Sequence, residues 1–252
     1  DTKKINNIDT INSNDTYPHW MLKEIMEQTE TIQKAYNYGG RILDNNIKLG
    51  GLDQISQISQ FIEYVLLIGC GTSYNAALIG ELYFNNNKKF ISVNAINACE
   101  FSIKNIPKIE NKKKILSVFL TQSGETLDLY NCLRICKYYG CITLGVVNKV
   151  DSLIAREVDC GIYLNAGSEI SVASTKSFTS MLIVLSLNEM WFNNDFFSNN
   201  KKINCLRFLS TCLTNILYDF NFLKSIENIK NFICSKNINN IFILGKNKLY
   251  PI

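Results

Sequence analysis

The sequence predicts an α/β fold, a three-layer α/β/α sandwich around a five-stranded parallel sheet. Five short, continuously apolar runs carry that prediction, because strands wetted on one face would alternate apolar and polar residues. Helical segments separate the runs, as the crossovers of a parallel sheet require. Hydrophobic residues make up 46 % of the 252 positions, enough for a sizeable core and too many for a disordered chain.

Residues 1–16 are polar and are expected to form a disordered tail. A helix is expected from His19 to about Arg41, where Met21, Leu22, Ile25, Met26 and Ile32 recur at amphipathic spacing. Asp15 or Thr16 would cap it, with Pro18 in its first turn. A second helix is expected over roughly 52–62. The first apolar run, 64–68, ends in Gly69 and leads to a helix over 73–84. The second strand is expected over 90–93, before a short helical piece near Cys99. Residues 115–120 and 126–139 follow as strand and helix, 141–147 and 152–157 as the next pair, and 159–164 as the fifth strand. A long apolar helix over about 173–192 and two helical stretches within 203–235 come last. The stretch from Met181 to Leu187 is too short to span a bilayer and suits either core packing or a subunit interface.

The end of the chain echoes the start of the sheet. In YVLLIGCGTSY (64–74) and NIFILGKNKLY (240–250), an apolar run ends in glycine and a tyrosine follows five residues later. The expected organisation is therefore one domain over 17–235, with 236–252 opening a second, truncated copy.

The net charge of +4 is small and scattered, and Lys112-Lys113-Lys114 suits a solvated turn, so neither nucleic acid nor membrane is an expected partner. The nine cysteines include no Cys-x-x-Cys pair, which argues against a zinc site. Cys132 and Cys136, four apart on a helix, suit buried free thiols. No metal or cofactor is expected. Free thiols without a signal peptide fit the cytoplasm. The single histidine, His19, excludes a His-based triad or a multi-His metal site within the chain.

In an open parallel sheet, ligands bind beyond the carboxyl ends of the strands. Three segments fall there: Gly69 to Ser73, Thr121 to Thr126, and Gly167 to Lys176. The second packs three hydroxyls and an amide around a glycine at a helix start. Unpaired N–H groups and the helix dipole favour an anion there, and the hydroxyls complete a phosphate cradle without Lys or Arg. Ser123 and Thr126 would alternatively cap the helix. Gly69-x-Gly71 is not a dinucleotide fingerprint, since Tyr74 holds the third glycine position and the strand ending near Asn94 supplies no acid. Glu125, Glu169 and Lys176 are the charged residues of these loops. Each suits a structural cap or ion pair as well as a catalytic role.

Cys70-Gly-Thr-Ser-Tyr74, Gln122-Ser-Gly-Glu-Thr126 and Asn165-Ala-Gly-Ser-Glu-Ile-Ser-Val-Ala-Ser-Thr-Lys176 resemble the isomerase half of glutamine:fructose-6-phosphate amidotransferases. His19 to Gln28 looks like the helix entering that half, and Leu244-Gly245 with Tyr250-Pro-Ile252 like the opening of its second sugar-phosphate isomerase (SIS) domain. The resemblance covers roughly residues 17–252 and implies the first SIS domain, which is flavodoxin-like. It implies binding of fructose 6-phosphate or glucosamine 6-phosphate by Thr72, Ser73, Thr121, Gln122, Ser123 and Thr126, with the Val172 backbone approaching the sugar. It also implies assembly with a second SIS domain and a glutaminase domain of the same polypeptide, and a homodimer. Thr121 stands where the family usually has Ser, and Thr29 where a Pro commonly follows the Glu-Gln pair. The isomerising Glu, ring-opening His and Schiff-base Lys belong to the second SIS domain, and the N-terminal Cys nucleophile to the glutaminase. These residues are therefore expected to bind the sugar phosphate without converting it. A stand-alone SIS module sensing a phosphosugar is the alternative.

Overall fold

The computed structural model describes residues 17–43, 46–86, 89–193 and 196–245. The expected tail, with Asp15 and Thr16, and the closing Tyr250-Pro-Ile252 lie outside the described residues.

Five parallel strands form one sheet: β1 (Tyr64–Gly69), β2 (Ser92–Asn97), β3 (Ile115–Thr121), β4 (Ile142–Val147) and β5 (Cys160–Tyr163), in the order β2-β1-β3-β4-β5. Pairing aligns their carboxyl ends: Gly69 lies beside Asn97 and Leu120, Thr121 beside Val147, and Val147 beside Tyr163. β3 and β4 are buried throughout, which is why their sequences read as unbroken apolar runs. β2 is an edge strand and half-wet. It therefore tolerates Asn94 in its interior and runs to Asn97, rather than spanning the more apolar 90–93.

Side-chain alternation divides each inner strand between two cores. Val65 and Leu67 of β1, with Leu116, Val118 and Leu120 of β3, pack with α2 (Thr72–Asn85) and α5 (Lys176–Phe192). Leu66, Ile68, Ile115 and Phe119 face the other way, onto α3 (Leu127–Tyr138) and α4 (Leu153–Glu157). Cys132 and Cys136 of α3 are buried there as expected. Met181 to Leu187 of α5 packs inside the chain, with Met181, Ile183, Val184, Leu185 and Leu187 all buried, so its role here is core packing.

Two helical expectations change. α1 (Trp20–Ala35) stops short of Arg41 because Asn37, Tyr38 and Gly39 take left-handed conformations. Arg41 instead turns back and donates to the Ala35 carbonyl at 2.5 Å. The N-cap of α1 is His19, so Pro18 precedes the cap. The segment expected as a helix over 52–62 forms two 3₁₀ pieces, Gly50–Ile55 and Ser59–Phe61. Its apolar residues Leu52, Ile55, Ile58 and Phe61 are spaced by three, which matches the 3₁₀ repeat better than 3.6.

α6 (Phe196–Leu217) packs on α1. It begins earlier than the 203 expected from sequence. Lys202 of α6 meets Glu189 of α5, which is 1 % exposed, at 2.5 Å. Replacing Lys202 with Met leaves that buried carboxylate without its cation, and among the described residues only the Asn193 amide still donates to it, at 3.4 Å. The expected loss is about 1–3 kcal/mol, less than for a fully buried pair because Lys202 is one-third exposed. Adding Glu189→Gln should recover part of it. Urea melts of both variants check this, and an unshifted Lys202→Met midpoint would refute it.

α7 (Phe220–Ser235) has no buried residue, and Ile241 to Leu244 are 65–93 % exposed in a segment without strand pairing among the described residues. The apolar run expected to open a second sheet is thus solvent-facing in this chain. No helix among the described residues is long and apolar enough to cross a membrane.

Candidate functional site

The strand order puts a topological switch point between β1 and β3: the chain leaves β1 for β2 on one side and returns to β3 on the other. Ligands of doubly wound sheets sit in the crevice this creates. The loops flanking it are Gly69 to Ser73 and Thr121 to Thr126. Both lead directly into helices, α2 and α3, whose first N–H groups face the carboxyl edge of the sheet.

The first loop is tight. A Cβ on Gly69 would lie 2.6 Å from the Ser73 carbonyl carbon and 2.8 Å from the Tyr74 nitrogen, so the start of α2 folds directly against the strand end. Thr72 is exposed and Ser73 half-buried. Cys70 lies between the two glycines. Burial, then the neighbouring Cys99 and Asp128, push its thiol up to about 11.

The second loop is closed by its own hydroxyls. Thr121 Oγ1 accepts from the Gly124 N–H at 3.0 Å, and Ser123 Oγ from the Glu125 N–H at 3.2 Å. Its carbonyls tie it to the turn after β4: Gln122 accepts from Lys149 N–H and Gly124 from Ile154 N–H. Glu125 accepts from the Leu153 N–H at 3.0 Å, so this carboxylate caps the start of α4. Thr126 is the N-cap of α3, yet its side chain makes no capping bond. The side chains of Thr72, Ser73, Gln122 and Thr126 carry no hydrogen bond among the described residues. Ser123 and Thr126 therefore separate: one stabilises the loop, and the other presents a free hydroxyl beside a helix start.

The third loop is held by carboxylates. Glu169 takes the N–H groups of Thr175 and Ser177 and both their hydroxyls. Thr175 is pulled out of helical conformation, and α5 starts at Lys176 rather than near Ala173. Lys176 is buried and pairs with Glu27 at 2.6 Å. Glu125, Glu169 and Lys176 thus all have structural partners. Val172 is fully exposed at the loop tip. β4 separates its strand, β5, from β3, and no hydrogen bond joins Val172 to the other candidates among the described residues. The fold places Thr72, Ser73, Thr121, Gln122, Ser123 and Thr126 on the two loops that flank the switch point, and Val172 on the loop after β5.

Sequence reasoning missed Glu24. Met21 and Leu22 were expected on the buried face of α1, but they are 46 % and 40 % exposed, whereas Glu24 is 2 % exposed. Its carboxylate accepts from the N–H groups of Ile170 at 2.6 Å and Ser171 at 3.0 Å. Burial opposes its charge, but hydrogen bonds from Ser171 and Ile170, with Lys176 nearby, hold it below the usual carboxylate range. The available signal was the spacing of Glu24, Glu27 and Gln28. All three share one face of α1 and bond the third loop or the start of α5.

A separate cleft of about 500 Å³, lined by Ser59, Gln60, Trp191 and Phe192 among others, opens at the amino ends of the strands. It includes none of the hydroxyl-rich segments.

A family model described as SIS domain matches residues 63–188. A glutamine–fructose-6-phosphate aminotransferase (isomerising) of Wigglesworthia glossinidia brevipalpis is 32 % identical over 257 aligned positions, covering 96 % of this chain and 39 % of that protein. The human aminotransferase 2 is 38 % identical over 177 positions, covering 70 % of this chain and 25 % of its own length. Among solved structures, the C-terminal domain of glucosamine-fructose-6-phosphate aminotransferase from Francisella tularensis superposes with a TM-score of 0.77 at 27 % identity, covering 88 % of this chain and 61 % of that one. The chain therefore spans about two-fifths or less of the length of these two sequence relatives.

Proposed function

The chain belongs to the SIS-domain family, and from that premise we propose that it is the sugar-phosphate-binding part of an aminotransferase like its relatives, holding fructose 6-phosphate or glucosamine 6-phosphate at the β1/β3 switch point. The observation that carries this reading is the set of unused hydroxyls at Thr72, Ser73 and Thr126 beside two helix starts. Oriented N–H groups and neutral hydroxyl donors bind a phosphate monoester without a cation. The Gln122 amide, which carries no hydrogen bond among the described residues, would join them. In this reading the Val172 backbone approaches the sugar from the loop after β5.

Amide-nitrogen release and isomerisation would lie outside these residues, with a second SIS domain opening at 236–252. The greater length of the relatives and the exposed apolar surface of α7 and residues 241–244 support that division. A homodimer belongs to the same proposal. The near-complete alignment with one aminotransferase favours this over a stand-alone phosphosugar sensor.

Thr126→Val keeps the shape but removes a donor, and the structure gives that hydroxyl no folding role. Affinity for fructose 6-phosphate should fall roughly ten- to hundredfold, the equivalent of about 1.5–3 kcal/mol for one charge-assisted bond. Stability should hardly change. Calorimetric titration, with unphosphorylated fructose as control, reads the first quantity, and parent-like affinity would refute the cradle. Thr121→Val is a less clean test because it also strands the Gly124 N–H, whereas Thr121→Ser should behave as the parent. The purified chain should form no glucosamine 6-phosphate from fructose 6-phosphate and glutamine. A measurable rate would overturn the division of labour.

A further inference from the structure

We propose that Cys70, Cys99 and Asp128 form a binding site for a thiophilic divalent cation of the Zn²⁺ type. The three are far apart in sequence, and the sheet edge brings them together. Cys70 follows β1, Cys99 lies in the 3₁₀ turn after β2, and Asp128 is in the first turn of α3. Gly69 and Asn97 are paired neighbours, so the two cysteines leave the sheet side by side.

The sulfur and carboxylate oxygen atoms all lie within 4.8 Å of one another, and Cys99 Sγ is 3.4 Å from Asp128 Oδ2. In a tetrahedral site with metal–sulfur bonds of about 2.3 Å and metal–oxygen bonds of about 2.0–2.2 Å, neighbouring ligand atoms are about 3.5–3.8 Å apart. One edge is already near that spacing, and no other needs to shorten by more than about 1 Å. Two sulfurs and one carboxylate suit a borderline-soft cation and disfavour Mg²⁺ or Ca²⁺, which take oxygen. Cys99 and Asp128 are exposed and Cys70 half-buried, which leaves an entry path and a fourth position open to water. Asp128 also suits the positive end of α3, but that dipole calls for no pair of thiols.

Cys70 lies two residues before Thr72, and Asp128 two after Thr126. A bound cation would therefore hold the two loops of the switch point together. The site rests on these three residues alone, so its test is independent of sugar-phosphate binding.

The test is a Cd²⁺ titration of the purified chain under a non-thiol reductant, followed by the ultraviolet sulfur-to-metal charge-transfer band. The expected result is saturable binding displaced by Zn²⁺ and unaffected by Mg²⁺. Cys99→Ser and Asp128→Asn, both exposed and checked for parent-like circular dichroism, should each bind at least about tenfold more weakly. Cys205→Ser, an exposed thiol on α6, should bind as the parent. If both site variants bind Cd²⁺ as tightly as the parent, or if Cys205→Ser is the variant that loses binding, the proposal is overturned.

Discussion

Gly124→Ala is expected to lower the unfolding free energy by about 2–4 kcal/mol and to weaken sugar-phosphate binding with it. Two effects combine. Gly124 sits at φ +70°, a conformation that costs an L-residue about 1–3 kcal/mol. A Cβ there would also lie 2.0 Å from Ser152 Oγ and 2.4 Å from Ser152 Cβ, forcing the second loop away from the turn before α4. The two costs can be separated. The Ser152 hydroxyl makes no hydrogen bond and no capping bond, so Ser152→Gly alone should cost only a few tenths of a kcal/mol. The double variant should recover the collision part and keep the conformational part, a non-additivity that a double-mutant cycle reads directly. Urea unfolding of the three variants supplies the numbers. A Gly124→Ala stability within ~0.5 kcal/mol of the parent would show that the loop relaxes freely, contrary to its hydrogen bonds to residues 149 and 154.

The second large effect is expected at Glu24. Glu24→Ala removes the acceptor for the Ile170 and Ser171 N–H groups, each bond to a charged group contributing about 1.5–3 kcal/mol. A loss of about 2–4 kcal/mol is expected, concentrated in the third loop, with faster amide exchange at residues 170 and 171. The pH dependence has a definite sign. Glu24 titrates below its ordinary 4.5 when folded, so its contribution is fully present above about pH 4.5 and is lost as pH falls through the lowered folded value. Glu24→Ala should therefore flatten the acid limb of the stability profile and leave the neutral-to-alkaline side parallel to the parent. Unchanged amide exchange at 170 and 171 would show that Glu24 does not hold the loop.

Much of the fold was legible in the sequence because its signals are local. A strand buried on both faces must be continuously apolar, so β1, β3 and β4 appeared within a residue of their observed limits. Errors appeared where burial was partial. The half-wet edge strand β2 ran past a polar residue, and the 52–62 segment followed a spacing of three. The hydroxyl-rich loops were legible too, since small polar residues after an apolar run mark a strand end facing a helix start.

The division of roles within those loops was not legible. Thr121, Ser123 and Thr126 are all hydroxyl residues, and only the positions of the Gly124 and Glu125 N–H groups decide which hydroxyls serve the loop and which remain free for a ligand. The burial of Glu24 left no local signal in the sequence, because the partners that make it favourable lie about 146 residues away along the chain. Cys70, Cys99 and Asp128 showed no metal spacing, because their proximity follows from strand order. The sequence by itself determined which segments are strands and which loops carry hydroxyls, since both depend on near neighbours along the chain. Only the tertiary structure decided which loops meet at the switch point, which carboxylates are structural and which thiols converge. Those outcomes depend on contacts between segments whose separation along the chain says nothing about their distance in space.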